Sequence, residues 1–364
     1  MRILQVITSL RTGGAERLVT DFSKGFCAAG DTVEVLLFDG TRTGMVEELE
    51  KAGIPVYGLG KGAGAMHNPL LLFKLNKFLG KHRYDIIHTH NTPCQLLLAL
   101  ASLFRPLTLV TTEHNTTNRR RGMALLKPLD SWMYGRYRRI VCVGEETRRA
   151  LVDYLKKPSL SDRIVTISNG IDIGKYSQAT PAADLVETGG YRIVMVAAFR
   201  PQKDQQTLIR AMALLPLDFR LFLAGGSETD TDRAQLEDCR HLAMELGVAD
   251  RVRFLGIRND VPSVLAAADM VAFSTHYEGM SLSVMEGLAS GKPFVASDAP
   301  GVRDMIEGAG VLFPVGDAEC LATIIRGISD DSAEAAEIGE RCRRRAEMYD
   351  IGETIRRYKH EYDI

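Results

Sequence analysis

Short apolar runs alternate with amphipathic stretches along the first half of the chain. The runs are rich in Val and Ile, as expected of strands that are buried on both faces of a parallel sheet. The predicted strands span residues 3–8, 32–38, 54–59, 85–89, 107–111, 140–143 and 164–167. Stretches with helical periodicity separate most of them, so we predict that this half consists of βαβ units.

The second half repeats this alternation. Its predicted strands span residues 192–197, 220–223, 252–255, 270–273, 293–296 and 311–313. With 364 residues, the chain is longer than a single core comfortably supports. We therefore predict an α/β protein with two Rossmann-like, doubly wound parallel-sheet domains in tandem.

A break in both periodicities marks the boundary between the halves. Residues 172–190 follow neither pattern and contain Pro181 and several glycines, which is typical of a linker. The predicted parts are an N-terminal domain at 1–172, a linker at 173–190, a C-terminal domain at 191–342 and a terminal helical stretch at 343–364. Ligands of such sheets bind at the carboxyl ends of the strands, and two facing domains form a cleft.

The composition indicates neither a membrane span nor a secreted protein. No stretch reaches the ~18 apolar residues of a transmembrane helix, and the apolar start of the chain becomes polar at Thr8, too soon for a signal peptide. The six cysteines lie far apart, as is typical of reduced cytosolic thiols. We expect a cytoplasmic protein with neither a disulfide framework nor a zinc site.

A net charge of −1 conceals a division between the two halves. Residues 1–178 carry 25 Lys and Arg against 16 Asp and Glu, whereas the remaining residues carry 20 against 30. The densest basic segment, 119–157, has Trp132, Tyr134 and Tyr137 between its cations. Nucleic acid, a phosphorylated acceptor, an anionic membrane surface or ordinary solvated helix faces would each explain it.

A glycine pair follows the first predicted strand. Gly13 and Gly14 precede a helical pattern, and such glycines let backbone N–H groups approach a phosphate. The third glycine of a dinucleotide fingerprint is absent, which disfavours a dehydrogenase, and a plain tight turn is the alternative. Asp230 and Asp232 have the spacing of a metal-binding D-x-D, but their place before a helical pattern favours capping of the helix.

The most informative segment spans residues 275–293. It places Glu278 on a loop after a predicted strand and begins a helix near Ser281, where free N–H groups and the hydroxyls of Ser281 and Ser283 suit a diphosphate. Glu286 lies one helical turn beyond Leu282, where its carboxylate suits the hydroxyls of a ribose.

Two cations follow another predicted strand. Arg200 and Lys203 precede a helical pattern, where they would neutralise a departing diphosphate. By themselves they would be ordinary surface charges.

Together these segments resemble the retaining glycosyltransferases of family four, whose GT-B architecture has two Rossmann-like domains facing each other across a cleft. The resemblance covers nearly the whole chain, and the order of its pieces makes it specific. The pieces are Gly13-Gly14-Ala15-Glu16-Arg17, Thr112-Glu113-His114-Asn115, Ser168-Asn169-Gly170-Ile171-Asp172, Pro201-Gln202-Lys203-Asp204, Leu223-Ala224-Gly225-Gly226, Val252-Arg253-Phe254-Leu255-Gly256, Asp269, Glu278 and Glu286.

The resemblance implies that the N-terminal domain binds the acceptor and the C-terminal domain binds the nucleotide sugar. By position, Lys203 contacts the diphosphate, Glu286 the ribose and Glu278 the transferred sugar. The backbone of Gly256 and Ile257 contacts the base. The terminal stretch is implied to cross back onto the first domain.

The resemblance also implies a set of site residues. The catalytic residues are His114, which in such enzymes lies beside the donor sugar, and Lys203, Arg200 and Glu278. The nucleotide-sugar-binding residues are Gly13, Gly14, Gly225, Gly256, Ile257, Ser281, Leu282, Ser283 and Glu286. His88 and His90 have a weaker claim and are expected to pack or bond locally.

One position departs from the family pattern. The family usually has an arginine five positions before the lysine, where this chain has Ala198, and Arg200 stands three positions before it. We expect Arg200 to reach the same phosphates.

The implied activity is metal-independent transfer of a sugar, with retention, from a nucleotide-diphosphate sugar to a sugar or lipid-linked acceptor. A UDP-sugar is favoured, no cofactor is expected, and the context is polysaccharide or glycolipid biosynthesis. Residues 119–149 are expected to contact an anionic membrane peripherally, at the inner face of the plasma membrane, rather than nucleic acid. The alternatives are a nucleotide-sugar epimerase of GT-B fold and a non-catalytic nucleotide-sugar-binding protein.

Overall fold

The computed structural model describes residues 1–11, 13–62, 68, 70–115, 121 and 123–363. The chain divides into two compact units. The first comprises Met1–Gly170 together with Ile351–Ile364, and the second comprises Ile171–Asp350.

The first unit contains a parallel sheet of seven strands in the order β3-β2-β1-β4-β5-β6-β7. Its strands are β1 (Arg2–Ile7), β2 (Thr32–Leu37), β3 (Val56–Gly58), β4 (Ile86–Thr89), β5 (Leu109–Glu113), β6 (Arg139–Cys142) and β7 (Ile164–Thr166). Each overlaps a predicted strand. The match follows from burial on both faces, which leaves an uninterrupted apolar run in the sequence.

Helices cover both faces of this sheet. One face packs against α1 (Gly14–Ala28) and α2 (Gly44–Lys51), whose apolar side chains share a core with Ile7 and Leu37. The other face packs against α3 (Leu71–Lys81), α4 (Thr92–Ala101), α5 (Lys127–Gly135) and α6 (Glu145–Leu155), followed by the short α7 (Pro158–Ser161). Because the strands are parallel, polar loops collect at their carboxyl ends.

The second unit has a parallel sheet of six strands in the order β10-β9-β8-β11-β12-β13. The strands are β8 (Tyr191–Val196), β9 (Phe219–Ala224), β10 (Val252–Gly256), β11 (Met270–Phe273), β12 (Phe294–Ser297) and β13 (Val311–Phe313). The helices are α8 (Ile173–Ser177), α9 (Ala183–Val186), α10 (Gln205–Leu214), α11 (Asp230–Glu245), α12 (Val261–Ala266), α13 (Leu282–Ala289), α14 (Arg303–Ile306), α15 (Ala318–Asp330) and α16 (Ser332–Ala346). The predicted α/β class with two doubly wound sheets is confirmed.

The predicted linker at 173–190 differs from the structure. This segment contains α8 and α9 and is part of the second unit, where Tyr176 and Leu185 are buried in the core. Helices this short do not repeat a full apolar period, so the pattern carried no signal for them.

The end of the chain returns to the first unit, beginning at residue 351 rather than at 343. Helix α17 (Ile351–Asp363) packs against α1. Tyr358 meets Phe22 edge-on with ring centroids 5.0 Å apart, and Tyr362 stacks on Phe26 at 5.4 Å. Within the described residues, no helix is both long and apolar enough to span a bilayer.

Candidate active site

A buried ion pair lies at the carboxyl ends of the second sheet. The loop after β8 carries Lys203 and the loop after β11 carries Glu278, and a short antiparallel bridge joins Lys203 to Thr275. Lys203 Nζ lies 2.5 Å from Glu278 Oε1, and the two side chains are only 12% and 11% exposed. Two residues far apart in sequence, which the resemblance assigned to the same donor site, are thereby brought into contact.

Neighbouring groups fix the carboxylate of this pair. Thr275 Oγ1 lies 2.9 Å from Glu278 Oε1, and the Glu278 amide donates to the Pro300 carbonyl at 2.9 Å. Gly301 has a φ of +77°, and a Cβ there would lie 2.2 Å from the Glu278 carbonyl oxygen. Only glycine therefore lets the two loops approach this closely.

Burial lowers the pKa of the Lys203 amine, whereas the Glu278 carboxylate raises it, and the charge of Arg200 adds to the lowering. The ammonium also lies 4.6 Å from the centroid of the Phe273 ring, a cation–π contact. Arg200 is exposed and, among the described residues, has no ion-pair partner. A second anion near Lys203 would offset the desolvation of its charge.

Helix α13 begins beside the glutamate loop. Ser281 is its N-cap and is buried, but its side chain makes no capping hydrogen bond. Leu282 and Ser283 form the first turn, whose backbone N–H groups have no partner within the helix. Further along the helix, buried Glu286 accepts a hydrogen bond from the Tyr176 hydroxyl at 2.7 Å.

The glycines of the second unit allow close contact between its loops. A Cβ on Gly225 would lie 1.9 Å from the Ala197 carbonyl oxygen, and the Gly225 amide donates to the Gly256 carbonyl at 2.9 Å. Gly256 has a φ of +65°, and Ile257 after it is exposed. The loops after β8, β9 and β10 thus meet at one edge of the sheet.

The aspartate pair that resembles a metal motif caps a helix. Thr229 is the N-cap of α11, and it exchanges hydrogen bonds with Asp232 in a capping box. Asp230 pairs with Arg233 on the helix surface. The predicted capping role is confirmed.

In the first unit, the predicted glycine pair begins a helix. Gly13 is the N-cap of α1 with extended backbone, and the Glu16 side chain folds back so closely that a Cβ on Gly13 would meet its carboxylate. Arg17 donates to Asp21 and, at 2.7 Å, to Glu48. The structure thus places Gly13 and Gly14 at the carboxyl ends of the strands of the first unit.

His114 lies at the end of β5 in contact with another histidine. Its Nε2 is 3.3 Å from Nδ1 of His90, whose Nε2 is 2.6 Å from the Gln5 side-chain oxygen. Burial lowers the pKa of His114 to about 4 and also lowers the pKa of His90. Both imidazoles are therefore neutral at physiological pH. His88 bonds locally to Thr112 Oγ1 at 2.7 Å, as expected.

The cations of the basic segment are less available to an anionic partner than the composition predicted. Arg121 makes a nearly buried ion pair with Glu113 at 2.7 Å, and Arg139 pairs with Glu361 at 2.6 Å. Arg136 donates to Ser102, and Arg148 pairs with Glu145 at 3.2 Å. Arg119 and Arg120 lie outside the described residues. These intramolecular partners neutralise much of the positive charge that the sequence displays.

Each unit has a fully parallel sheet with its polar loops at the carboxyl ends of the strands, the arrangement of the GT-B class of proteins. The chain belongs to the group 1 glycosyltransferases. The family model described as Glycosyltransferase Family 4 matches residues 12–175, and the one described as Glycosyl transferases group 1 matches residues 178–345. The protein is therefore a glycosyltransferase.

Similar proteins support this membership. A phosphatidyl-myo-inositol mannosyltransferase of Mycolicibacterium smegmatis is 26% identical over 93% of this chain and 86% of its own length. An Escherichia coli UDP-Gal:alpha-D-GlcNAc-diphosphoundecaprenol alpha-1,3-galactosyltransferase is 25% identical over 71% of this chain and 70% of its own. Anabaena HepE, in a structure with UDP and glucose, has the same fold, with a TM-score of 0.84 and 23% identity over 99% of this chain and 98% of that chain.

Sequence reasoning missed several residues of the site. Tyr176 lay in a presumed linker, and Thr275 had been noted only as part of a motif. Gln5 lies in β1. A single amide within an otherwise apolar strand was the one feature of the sequence that could have indicated its role.

Proposed function

We propose that this glycosyltransferase transfers a sugar from a UDP-sugar to a sugar or lipid-linked acceptor, with retention and without a metal ion. The observation that carries the proposal is the buried Lys203–Glu278 pair beside the free N–H groups at the start of α13. A lysine, a helix N-terminus and the exposed Arg200 offer positive charge where a departing diphosphate becomes more negative.

The carboxylates complete the proposed donor site. Glu278 would accept hydrogen bonds from hydroxyls of the transferred sugar, and its contacts with Lys203 and Thr275 hold its side chain in place. Glu286 would accept hydrogen bonds from the ribose, with Tyr176 holding its other oxygen. The diphosphate oxygen itself would take the acceptor proton on the face that it leaves, which requires no further base.

Three similar proteins favour the proposed donor and acceptor classes. Structures of HepE contain UDP or UDP-glucose, and the E. coli relative is named for a UDP-galactose donor and a diphosphoundecaprenol acceptor. The mycobacterial relative is named for a phosphatidyl-inositol acceptor. These names motivate the choice of uridine and of a lipid-linked acceptor.

The experiment is a donor panel followed by NMR of the product. We expect UDP release from one UDP-sugar, a product with the donor's anomeric configuration, and undiminished rates in EDTA. An inverted product would contradict retention, and activity that returns only with Mg²⁺ would contradict metal independence. Donor conversion without acceptor would identify the epimerase alternative, and binding without turnover the non-catalytic one.

We also propose a membrane-facing surface on the first unit, to accompany the lipid-linked acceptor. Large apolar side chains are exposed where α3 and α5 begin: Phe73 is 68% and Leu125 92% exposed, with Leu70, Met123 and Leu129 nearby in sequence. Helix α4 lies between α3 and α5 on the same sheet face. Isolated exposed apolar residues are common, but a set at the starts of two helices on the same sheet face supports a binding surface.

The charge on this surface suits an anionic bilayer. Lys74, Lys77 and Lys81 lie on α3, and Lys127 begins α5. The only acid in residues 70–81 and 123–135 is Asp130, and it is buried. Apolar side chains flanked by cations favour anionic lipid over a neutral surface.

Vesicle sedimentation tests this membrane contact. Phe73→Asp and Leu125→Asp should each lower binding to phosphatidylglycerol vesicles severalfold, while Leu217→Asp, at an exposed leucine of the second unit, should not. Equal binding to phosphatidylcholine vesicles, or a dimer in solution that Leu125→Asp dissociates, would contradict it.

A further inference from the structure

A chain of uncharged hydrogen-bonding groups runs from β1 to the end of β5 in the first unit. Gln5 Oε1 lies 2.6 Å from His90 Nε2, and His90 Nδ1 lies 3.3 Å from His114 Nε2. Gln5 and His90 are almost completely buried, and the His90 and His114 rings lie 5.5 Å apart and nearly parallel. Each contact requires one donor and one acceptor, so one proton position determines the next.

The orientation of the Gln5 amide sets the first proton. Its Oε1 lies 2.6 Å from His90 Nε2, whereas within the described residues its Nε2 makes no hydrogen bond. Gln5 thus presents its oxygen to His90. A carbonyl oxygen only accepts, so His90 Nε2 carries the proton.

The positions of the ring protons of His90 and His114 follow from this first one. His90 contacts His88, His114 and Gln5, none of which is an acid, and burial keeps it neutral. A neutral imidazole has a single ring proton, so His90 Nδ1 accepts. The contact with His114 then requires that His114 Nε2 donates. Within the described residues, Nδ1 of His114 makes no hydrogen bond.

We propose that Gln5 and His90 hold His114 as its Nε2–H tautomer, so that Nδ1 accepts a hydrogen bond from a hydroxyl of a bound sugar. The inference rests on the proposed function for its ligand class but not for its tautomer. Gln5 and His90 act as positioning residues, and His114 is the residue that touches substrate. It serves as a neutral acceptor and not as a cation or an acid.

The C-terminal helix supports this arrangement from the far side. Tyr362 Oη lies 2.6 Å from His88 Nδ1, and Tyr358 Oη lies 2.9 Å from Thr112 Oγ1. Both phenols are buried, and their pKa values are raised by that burial, so they stay uncharged. These phenols and the three histidines are therefore neutral, which leaves hydrogen bonding as the force that selects the tautomer.

NMR of protein labelled with ¹⁵N-histidine tests the tautomer directly. Two-bond ¹⁵N–¹H correlations at pH 7 should show His114 protonated at Nε2 alone, with His114→Asn used to assign the signals. Gln5→Met, which fills the space but accepts no such bond, should produce a mixture of tautomers. A His114 protonated at Nδ1, or at both nitrogens, would overturn the proposal; melting temperatures would verify that the variants fold.

Kinetics test the role of the acceptor nitrogen. His114→Leu should lower kcat/KM about tenfold or more, and His114→Asn, whose carbonyl oxygen can replace Nδ1, should recover part of the loss. Gln5→Met should lower it severalfold. An effect confined to the KM of the nucleotide sugar would identify the donor hydroxyl, and one confined to the KM of the acceptor would identify the acceptor hydroxyl. Equal activity of the His114→Leu and His114→Asn variants would contradict the acceptor role.

The two proposals fail separately. If the NMR shows the Nε2–H tautomer and no nucleotide sugar is ever turned over, the proposed function is wrong and the tautomer assignment stands. If transfer occurs and His114 is protonated at Nδ1, only the present inference is wrong.

Discussion

The two units place different electrostatics at the carboxyl ends of their strands. In the second unit a buried charge is compensated by an opposite one, since Lys203 pairs with Glu278. The Tyr176 hydroxyl donates a hydrogen bond to the carboxyl group of Glu286. In the first unit the buried histidines after β4 and β5 are neutral, as in the contact between His90 and His114, although a nearly buried Arg121–Glu113 ion pair lies in the same unit. The Lys203–Glu278 pair lies in the unit proposed to hold the diphosphate, and the neutral histidines lie where only orientation of a hydroxyl is required.

This difference predicts different sensitivities. A compensated ion pair depends on both partners, because removing one leaves the other buried and unpaired. A neutral histidine network depends on pH, because protonation inserts a charge that burial disfavours. The following predictions separate the two regions.

Acidification should have the largest effect, and it should act on the first unit. Burial lowers the pKa of His88 to about 3, below its unfolded value of about 6.5. Below pH 6.5 the unfolded chain binds a proton that the folded chain does not, so stability falls as pH falls. Between pH 6.5 and 5 this costs about 2 kcal/mol for His88, and His90 adds a further loss of the same sign.

Hydrogen exchange at pH 7, 6 and 5 would measure this loss. We expect protection of β4 and β5 to decrease before that of β11. Carboxylates affect stability at a lower pH. The hydrogen bond from Arg17 lowers the pKa of Glu48 to about 2, so the stability that Glu48 contributes is complete above pH 4.5 and is lost only toward pH 2. His241→Ala, at an exposed position in the second unit, is the control. Earlier loss of protection in β11 would contradict the comparison.

Removing the lysine of the charged pair should have the next largest effect. Lys203→Ala should lower kcat by roughly a hundredfold, as loss of one charge-stabilising group typically does. Arg210→Ala, which removes an exposed cation of α10, should leave the rate unchanged. Steady-state kinetics with saturating donor would measure both.

The variant also leaves Glu278 without its cation, so a fold control is needed. Lys203→Met combined with Glu278→Gln removes both charges and should melt near the wild-type temperature. Wild-type turnover in the Lys203→Ala variant would show that the diphosphate is stabilised elsewhere.

The sequence was sufficient to predict the sheets and the charged residues of the second unit. The strands are buried on both faces, so each left an apolar run. Lys203 and Glu278 lie in loops and Glu286 lies in α13, and the order of the motifs identifies all three. The pairing of Lys203 with Glu278 was not predictable, because it depends on β8 and β11 being neighbours in the sheet. The order of the strands along the chain does not determine this.

The neutral network was beyond sequence reasoning for the same reason. Gln5 and His90 meet because β1 and β4 pair, although 85 residues separate them. Tyr362 reaches the network only because α17 packs against the first unit. Tyr176 was missed because a five-residue helix carries no periodic signal.

The smallest effect is expected from a single hydroxyl in the charged unit. Tyr176→Phe removes the hydrogen bond to Glu286 and keeps the ring that packs in the core, so the fold should be retained. A hydrogen bond to a charged group contributes about 1.5 kcal/mol, so KM for the nucleotide sugar should rise about tenfold while kcat changes less. Tyr191→Phe is the matched control, because within the described residues its hydroxyl makes no hydrogen bond. If Tyr176→Phe instead lowered kcat and left KM unchanged, Glu286 would act in the transition state rather than in holding the ribose.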